Sequence, residues 1–384
     1  MEYTLSTEQE ILRDSVRSFA ENEIKPVARE LDKQETFSNE TMQKMAELGL
    51  FGIFVSEAYG GQEMDYISYI IATEEIARVD GSHAATVAAG NSLGIGPLYY
   101  FGSEEQKKKY LPKLCSGQAL WGFGLTEANA GSDAANSSTK AVLDGDEWVI
   151  NGTKTFITNG GLCGFYSVLC QTDPEAKPSY RGLSLILVEG DCPGVTATDV
   201  GPKMGIHMMA TAEVNFKDVR VPATNLIGKE GQGFYQVLEF FDESRILVAA
   251  QALGTAQGAF DRALDYVKQR EQFGKKIAQF QVTQHKLADM ATKIELARLI
   301  TYKAAWNYDQ GRIDPKLTSM AKMFAARTAV EVADEAIQLL GGYGYMTEYE
   351  VERFYRDAKI MELYEGNRQI QKNTIASAIL GNLR

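Results

Sequence analysis

Glu362 and Glu365 close a charged helical stretch, RDAKIMELYEGNRQIQ at 356–371. They are three residues apart and share a helical face. A carboxylate placed there can act as a general base. Surface glutamates are far commoner, so the pattern alone leaves both readings open. Gly366 lets backbone approach a ligand closely, which favours Glu365 over Glu362. Three other segments have chemical potential. LTEANAGSD at 125–133 exposes N–H groups and hydroxyls that suit a phosphate or the edge of a heteroaromatic ring. An ordinary helix-to-strand loop has the same composition. In FITNG at 156–160, Phe156 and Thr158 are two apart and face the same side of a strand. One can cover a flat ring while the other bonds its edge; a half-buried strand reads the same way. Arg270, in REQFG at 270–274, sits where a long helix should stop. It can favour a helix C-terminus or clamp a pyrophosphate.

Other chemistries find no support. Neither GxGxxG nor GxxxxGKS/T occurs, so a dinucleotide-fold fingerprint and a P-loop are both missing. His83, His207 and His285 are scattered and read as structural or surface residues. Cys115, Cys163, Cys170 and Cys192 lack metal-type spacing, so no metal site is expected. The 384 residues carry 39 Lys+Arg against 51 Asp+Glu, a net charge of −12. That excess argues against a nucleic-acid binder held by phosphate contacts and against adhesion to an anionic membrane. No apolar run approaches the roughly 18 residues that span a bilayer, and no basic region followed by an apolar core opens the chain. A soluble, cytoplasmic protein is expected.

The elements that must position these residues fall into three textures. Residues 1–120 read as helical, with Leu12, Val16, Phe19, Ile24 and Val27 near helical spacing. Thr7 and Glu10 resemble a capping box opening the first helix. Residues 86–92 are small and suit a cavity wall or close helix packing. Residues 121–228 read as β. Asp144-Gly145 and Asn151-Gly152 are hairpin signals, and strands are expected at 148–150, 155–158, 165–169, 183–188, 214–216 and 219–221, ending at Pro222. Residues 229–384 are helical again. Ala249, Leu253, Ala256, Phe260, Ala263 and Val267 step alternately by four and three, as do Leu287, Met290, Ile294 and Ala297. That period suits long helices in a bundle. Gly254 and Gly258 interrupt the first of them at about 1 kcal/mol each, so close helix contact is expected to compensate.

Taken together, LTEANAGSD, KTFITNG at 154–160, REQFG, QLLGGYGYMTEY at 338–349 and RDAKIMELYEGNRQIQ resemble, in order, the signature segments of the acyl-CoA dehydrogenase family. The resemblance spans essentially the whole chain. It implies an α+β multidomain fold: an N-terminal all-α domain, a middle antiparallel β-domain and a C-terminal four-helix bundle. It implies one FAD per subunit, an acyl-CoA substrate, electron-transfer flavoprotein as partner and a homotetramer, or a dimer as in some members.

Residue roles follow from the same resemblance. Glu365 matches the catalytic base. Phe123, Leu125, Thr126, Gly131 and Ser132 match the flavin loop, with Ser132 also near substrate. Phe156 and Thr158 match the aromatic and the hydroxyl along the isoalloxazine ring, although many relatives carry Trp at the first position. Arg270, Gln272 and Gln281 match cofactor contacts from a neighbouring subunit, and Gln338, Gly341 and Gly342 a further flavin contact. Asn367 and Gln369 lie at flavin-contact positions, with Asn367 replacing the usual Thr of an E-G-T motif. Asp242 and Arg245 match a CoA-binding pair, and Asn91, Tyr364 and Gly366 substrate contacts. The implied reaction is α,β-dehydrogenation of a short or medium acyl-CoA, straight, branched or alicyclic. The 86–93 stretch is small and lacks an arginine for a distal carboxylate, which disfavours a glutaryl-CoA-type substrate. An acyl-CoA oxidase is the nearer rival, but such oxidases are usually longer, and this chain ends at Arg384. A non-catalytic relative is opposed by the retained Glu365 and the acidic charge.

Overall fold

The computed structural model describes residues 4–381; Arg384 lies outside them. Helices come first: α1 (Thr7–Phe19), α2 (Lys25–Gln34), α3 (Asn39–Glu47), α4 (Tyr66–Ala77), α5 (Gly81–Ala89), α6 (Gly96–Phe101) and α7 (Glu104–Cys115). A capping box does open α1, but one residue earlier than expected. Ser6 Oγ accepts from the Gln9 N–H at 3.2 Å, and Gln9 Oε1 accepts from the Ser6 N–H at 2.9 Å. Ser6/Gln9 and Thr7/Glu10 both have the required spacing, so spacing alone cannot separate the two registers. His83 is wholly buried between Asp80 Oδ1, 2.6 Å from Nδ1, and Thr41 Oγ1, 2.9 Å from Nε2. It ties α5 to α3.

The middle layer is one sheet of β1 (Trp121–Gly124), β2 (Lys140–Asp144), β3 (Glu147–Thr158), β4 (Phe165–Gln171), β5 (Leu183–Glu189), β6 (Val195–Asp199), β7 (Thr211–Pro222) and β8 (Leu226–Ile227). The order is β6-β7-β3-β2-β4-β5-β8, with β1 beside β4. Most pairs are antiparallel, but β1 runs parallel to β4, and β2 meets β4 in parallel at Lys140–Gln171. The expected antiparallel β-domain is present, with these two parallel pairings added to it. Asp144-Gly145 turns the chain from β2 to β3, with Gly145 at φ 68°. Asn151-Gly152 does not turn it. The pair lies inside β3, where the β3–β7 register shifts. A Cβ on Gly152 would stand 2.5 Å from Thr139 Oγ1. This glycine marks a bulge and a close approach.

The last layer holds α8 (Gly233–Gln269), a short hairpin of β9 (Glu271–Gln272) and β10 (Lys275–Lys276), then α9 (Gln281–Asp309), α10 (Pro315–Leu340), α11 (Val351–Ile360) and α12 (Arg368–Leu380). α10 packs on α8, α9, α11 and α12. The α8 stripe is buried as expected, apart from a half-buried Phe260. A Cβ on Gly254 would meet Glu74 O of α4 at 2.1 Å, and one on Gly258 would meet Arg78 O at 2.1 Å. Both glycines thus let α8 lie directly on the backbone of the first layer. Among the described residues no helix is long and apolar enough to cross a membrane.

Candidate active site

The three layers meet around a cavity of about 630 Å³. α5 supplies Ala85, Ala88 and Ala89; β1 and the loop after it supply Phe123, Leu125, Thr126, Gly131 and Ser132; β3 supplies Phe156 and Thr158. α8 adds Arg245, and the turn between α11 and α12 adds Tyr364, Glu365, Gly366 and Asn367. Residues far apart in sequence thus share one wall, and the small residues of α5 leave it open.

The polar loop is held from beneath by a buried ion pair. Lys154 Nζ donates to Leu125 O at 3.1 Å, Glu127 Oε1 at 2.8 Å and Ser137 Oγ at 2.8 Å. Glu127 also accepts from the Ser138 N–H and Thr139 N–H at 2.8 and 2.9 Å. Burial opposes its ionisation, but Lys154 and the hydroxyls outweigh burial and hold the carboxyl well below the usual range. Both residues lie inside the quoted motifs, yet neither had been assigned a role. Above this pair Phe156 projects into the cavity, 68% exposed and at φ 58°. The β3 register shifts between Lys154 and Ile157, so a bulge, and not plain alternation, aims Phe156. Positive φ costs a non-glycine residue about 1–3 kcal/mol, and such strain concentrates at functional sites.

Glu365 is strained in the same way, at φ 51°. Its carboxylate accepts a hydrogen bond from Ser244 Oγ of α8. Burial raises its pKa, while the Ser244 bond and the charges of Lys322 and Arg245 oppose that rise. The turn is held from behind. Gln371 Nε2 donates to Glu365 O at 3.1 Å and Gly366 O at 2.8 Å, and Lys322 Nζ donates to Gly366 O at 2.8 Å. Tyr364 OH donates to Gln251 Oε1 at 2.5 Å, and Gln251 Nε2 to Gly81 O at 3.1 Å. Tyr364 and Gln251 both line the cavity. Asn367 caps α12, accepting from the Ile370 N–H at 3.0 Å, and its Nδ2 reaches Ser132 Oγ at 3.3 Å. The amide in place of Thr therefore caps the helix and also tethers the polar loop.

Glu362 faces away from this cavity and pairs with Lys359 at 2.6 Å and Arg368 at 3.2 Å. Arg270, Gln272, Gln338, Gly341 and Gly342 meet in a separate, open hollow of about 490 Å³ at the ends of α8 and α10. The Arg270 guanidinium lies 5.3 Å from the centre of the Tyr343 ring. Gln281 and Gln369 are exposed and line neither space. Asp242 lies behind Arg245, bonded to its Nη1 at 2.7 Å. Asn91 is a correction. It is wholly buried, donates to Leu50 O and Val87 O at 2.8 and 2.9 Å, and accepts from the Gly52 N–H at 2.6 Å. With its side chain bonded to backbone on donor and acceptor sides, it is a structural strut and does not line the cavity.

Sequence reasoning missed Ser244, Gln251 and Lys322. Lys322 left a trace: Thr318, Lys322, Ala325, Ala329 and Val332 step along one buried stripe of α10. A lysine at a core position signals an internal partner.

Family models for the acyl-CoA dehydrogenase N-terminal, middle and C-terminal domains match residues 6–118, 122–219 and 231–380. A probable acyl-CoA dehydrogenase of Bacillus subtilis is 48% identical over 380 residues, covering 99% of this chain and 100% of that protein. The chain belongs to the acyl-CoA dehydrogenase family. The butyryl-CoA dehydrogenase of Megasphaera elsdenii superimposes with a TM-score of 0.96 at 41% identity, covering 99% of this chain and 100% of that one. A chain from a structure described as the electron transferring flavoprotein of Acidaminococcus fermentans gives 0.97 at 43% identity, with both chains fully covered. As an acyl-CoA dehydrogenase this protein is an oxidoreductase, and its cofactor is FAD. The residues fit that cofactor. Gly131 has open space where a Cβ would stand, Thr126, Ser132 and Thr158 offer hydroxyls, and Phe156 presents a bare aromatic face. The buried indole N–H of Trp121, also on the cavity wall, has no hydrogen-bond partner among the described residues.

Proposed function

We propose that this acyl-CoA dehydrogenase oxidises short acyl-CoA thioesters to 2-enoyl-CoA, with Glu365 as the base. The observation that carries this reading is Glu365 itself: a cavity-facing carboxylate at positive φ, with raised pKa, on the wall shared with Phe156 and Thr158. An α-hydrogen beside a thioester is a very weak acid, so a carboxylate alone cannot remove it. The developing enolate oxygen needs fixed donors in a dry site, worth about 2.7–4 kcal/mol each. In this reading the Glu365 N–H is one such donor, and the clamp on the Glu365 and Gly366 carbonyls keeps it aimed. Glu365 removes the α-proton and holds it on its carboxyl. Burial of that carboxyl strengthens the base. FAD, when bound, accepts the β-hydride. Phe123, Leu125, Thr126, Gly131, Ser132, Phe156, Thr158 and Asn367 are assigned to the cofactor side. Arg245, Tyr364 and Gly366 are assigned to the substrate.

Short acyl groups are favoured in this reading, with the bonded pair of Tyr364 and Gln251 on the cavity wall as a fixed limit to the space there. The butyryl-CoA dehydrogenase likeness supports the same choice. Arg245 is the only cation on the described wall of the cavity, and it lies beside Glu365, not on α5. A distal carboxylate would therefore lack a partner, which disfavours a glutaryl-CoA-type substrate. Electron-transfer flavoprotein is the proposed acceptor, supported by the second structural likeness. Glu365→Gln is expected to retain FAD and lose almost all turnover of butyryl-CoA with an artificial acceptor. Near wild-type turnover would reject the base. In a panel from butyryl- to palmitoyl-CoA, activity is expected to fall with length; preference for the longest chains would reject the short-chain reading. Oxygen-dependent peroxide formation at the full rate would favour an oxidase.

A further inference from the structure

Two side chains outside the flavin and acyl contacts converge on Glu365 from different helices. Ser244, on α8, is fully buried, and its Oγ donates to Glu365 Oε2. A hydroxyl has one proton to give, and its alternative acceptor, Phe241 O, is 3.4 Å away. The proton is thus committed to the carboxylate. Lys322, on α10, is 1% exposed. Its Nζ donates to Gly366 O at 2.8 Å, and among the described residues it forms no ion pair. A buried ammonium without a carboxylate against it is costly. Glu362 is paired instead with Lys359 and Arg368. The larger of the negative charges that balance Lys322 is Glu365, one peptide away, with Glu362 a smaller one and Arg245 acting against both.

We propose that Ser244 and Lys322 are positioning residues for Glu365: the hydroxyl fixes the carboxylate's orientation, and the ammonium supplies the compensating charge beneath its loop. The inference rests on Glu365 being the base. Reciprocal electrostatics support the geometry. Burial lowers the Lys322 pKa to about 8, and the Glu365 charge resists that fall. Burial raises the Glu365 pKa, and Ser244, Lys322 and Arg245 resist in that order. The other ionisable groups around the site are accounted for. Arg245 is bonded to Asp242 on α8. Glu243, also on α8, is pushed up to about 8 by burial and accepts from Tyr308 OH of α9. Tyr69 of α4 and Tyr364 are buried phenols raised far above their ordinary range. Arg245 also favours the charged form of Glu365, but after Ser244 and Lys322, and its charge is already paired with Asp242.

The sign follows directly. Both groups favour the charged form of Glu365, and removing either raises its pKa. The acid limb of kcat/KM, which reports the free enzyme's base, should then move to higher pH. The test measures kcat/KM for butyryl-CoA with an artificial acceptor against pH, on FAD-loaded enzyme. Ser244→Ala and Lys322→Met should each shift the acid limb upward, while Ser244→Thr and Lys322→Arg should bring it back toward wild type. A limb that stays in place in either Ser244→Ala or Lys322→Met, with full flavin content, overturns the proposal. If Lys322→Met does not fold, the Ser244 pair decides alone, because that substitution removes a single oxygen. Glu365→Gln separates the two levels. An active Glu365→Gln rejects the base; an inactive one with unmoved limbs rejects only the positioning role.

Discussion

Glu365 and Phe156 both hold positive φ without being glycine, and each needs a neighbour that prevents relaxation. For Glu365 the neighbours are Gln371 and Lys322, which grip the carbonyls of its loop. For Phe156 the anchor is Lys154, two residues earlier in the chain and fixed by its pair with Glu127. Lys154→Met would leave the Glu127 carboxylate buried without its cation, a loss of about 3–5 kcal/mol for a pair of this kind. Lys154 also holds Leu125 O, so the polar loop should loosen with it. Lys154→Met is expected to lower the melting midpoint and shed FAD on gel filtration. Adding Glu127→Gln should recover part of both losses, because the stranded charge is removed. If the single variant keeps its full flavin content, the pair is not what supports the loop. At this scale the sequence displays residue types but not their partners. Glu365 is legible because Gly366 follows it inside a known segment. Ser244 is invisible, since a serine beside Asp242 and Arg245 looks like any helical polar residue until α8 is laid against the α11–α12 turn.

Helix α8 shows what periodicity can and cannot reveal. Its alternating stripe is visible in the sequence and is buried in the fold. The two glycines inside it pointed to a close contact but not to its partner, which is the carbonyl row at Glu74 and Arg78. Glycine in strands was harder to read. Gly145 and Gly152 follow Asp and Asn alike, yet one turns the chain and the other bulges it, because only the second meets Thr139, the residue just before β2. Turn signals are local, and a bulge is set by what packs across the sheet. The α8 contact can be tested. Gly254→Ala gains about 1 kcal/mol of helix propensity but forces a methyl group against Glu74 O and Ala77 Cβ. Overpacking of this kind costs about 1–3 kcal/mol, and backbone cannot swing aside as a side chain can. A lowered melting midpoint is expected, together with slower turnover, since α8 carries Ser244 and Gln251. A more stable protein would show that the helices separate freely there.

At the scale of the molecule, the residues assigned to FAD divide between two places. Phe123 to Thr158 and Asn367 surround the Glu365 cavity, whereas Arg270, Gln272, Gln338, Gly341 and Gly342 form an open hollow elsewhere. One chain cannot present both sets to a single reacting centre if the hollow only faces outward. A symmetric assembly could, if a two-fold interface gave each subunit's hollow to its neighbour's cofactor, and we propose that arrangement. Exposed Phe273, Tyr345 and Met346 flank this region, as expected of a surface that another subunit covers. The net charge of −12 does not forbid such contact, because the hollow itself is lined by apolar, aromatic and uncharged polar residues around a single arginine. The arrangement makes a prediction that single-chain function does not. Arg270→Ala should weaken FAD retention while leaving the Glu365 wall unchanged, and Glu365→Gln should bind FAD but not turn over. When the two variants are co-expressed with different tags and the mixed oligomer is isolated, some sites combine an intact Glu365 from one chain with an intact Arg270 from the other. In an isolated mixed two-fold pair this is about half of the sites. Activity per chain, measured without added FAD, should then rise above that of both parents. A mixed oligomer no more active than its parents would place Arg270 in service of its own chain, or of none.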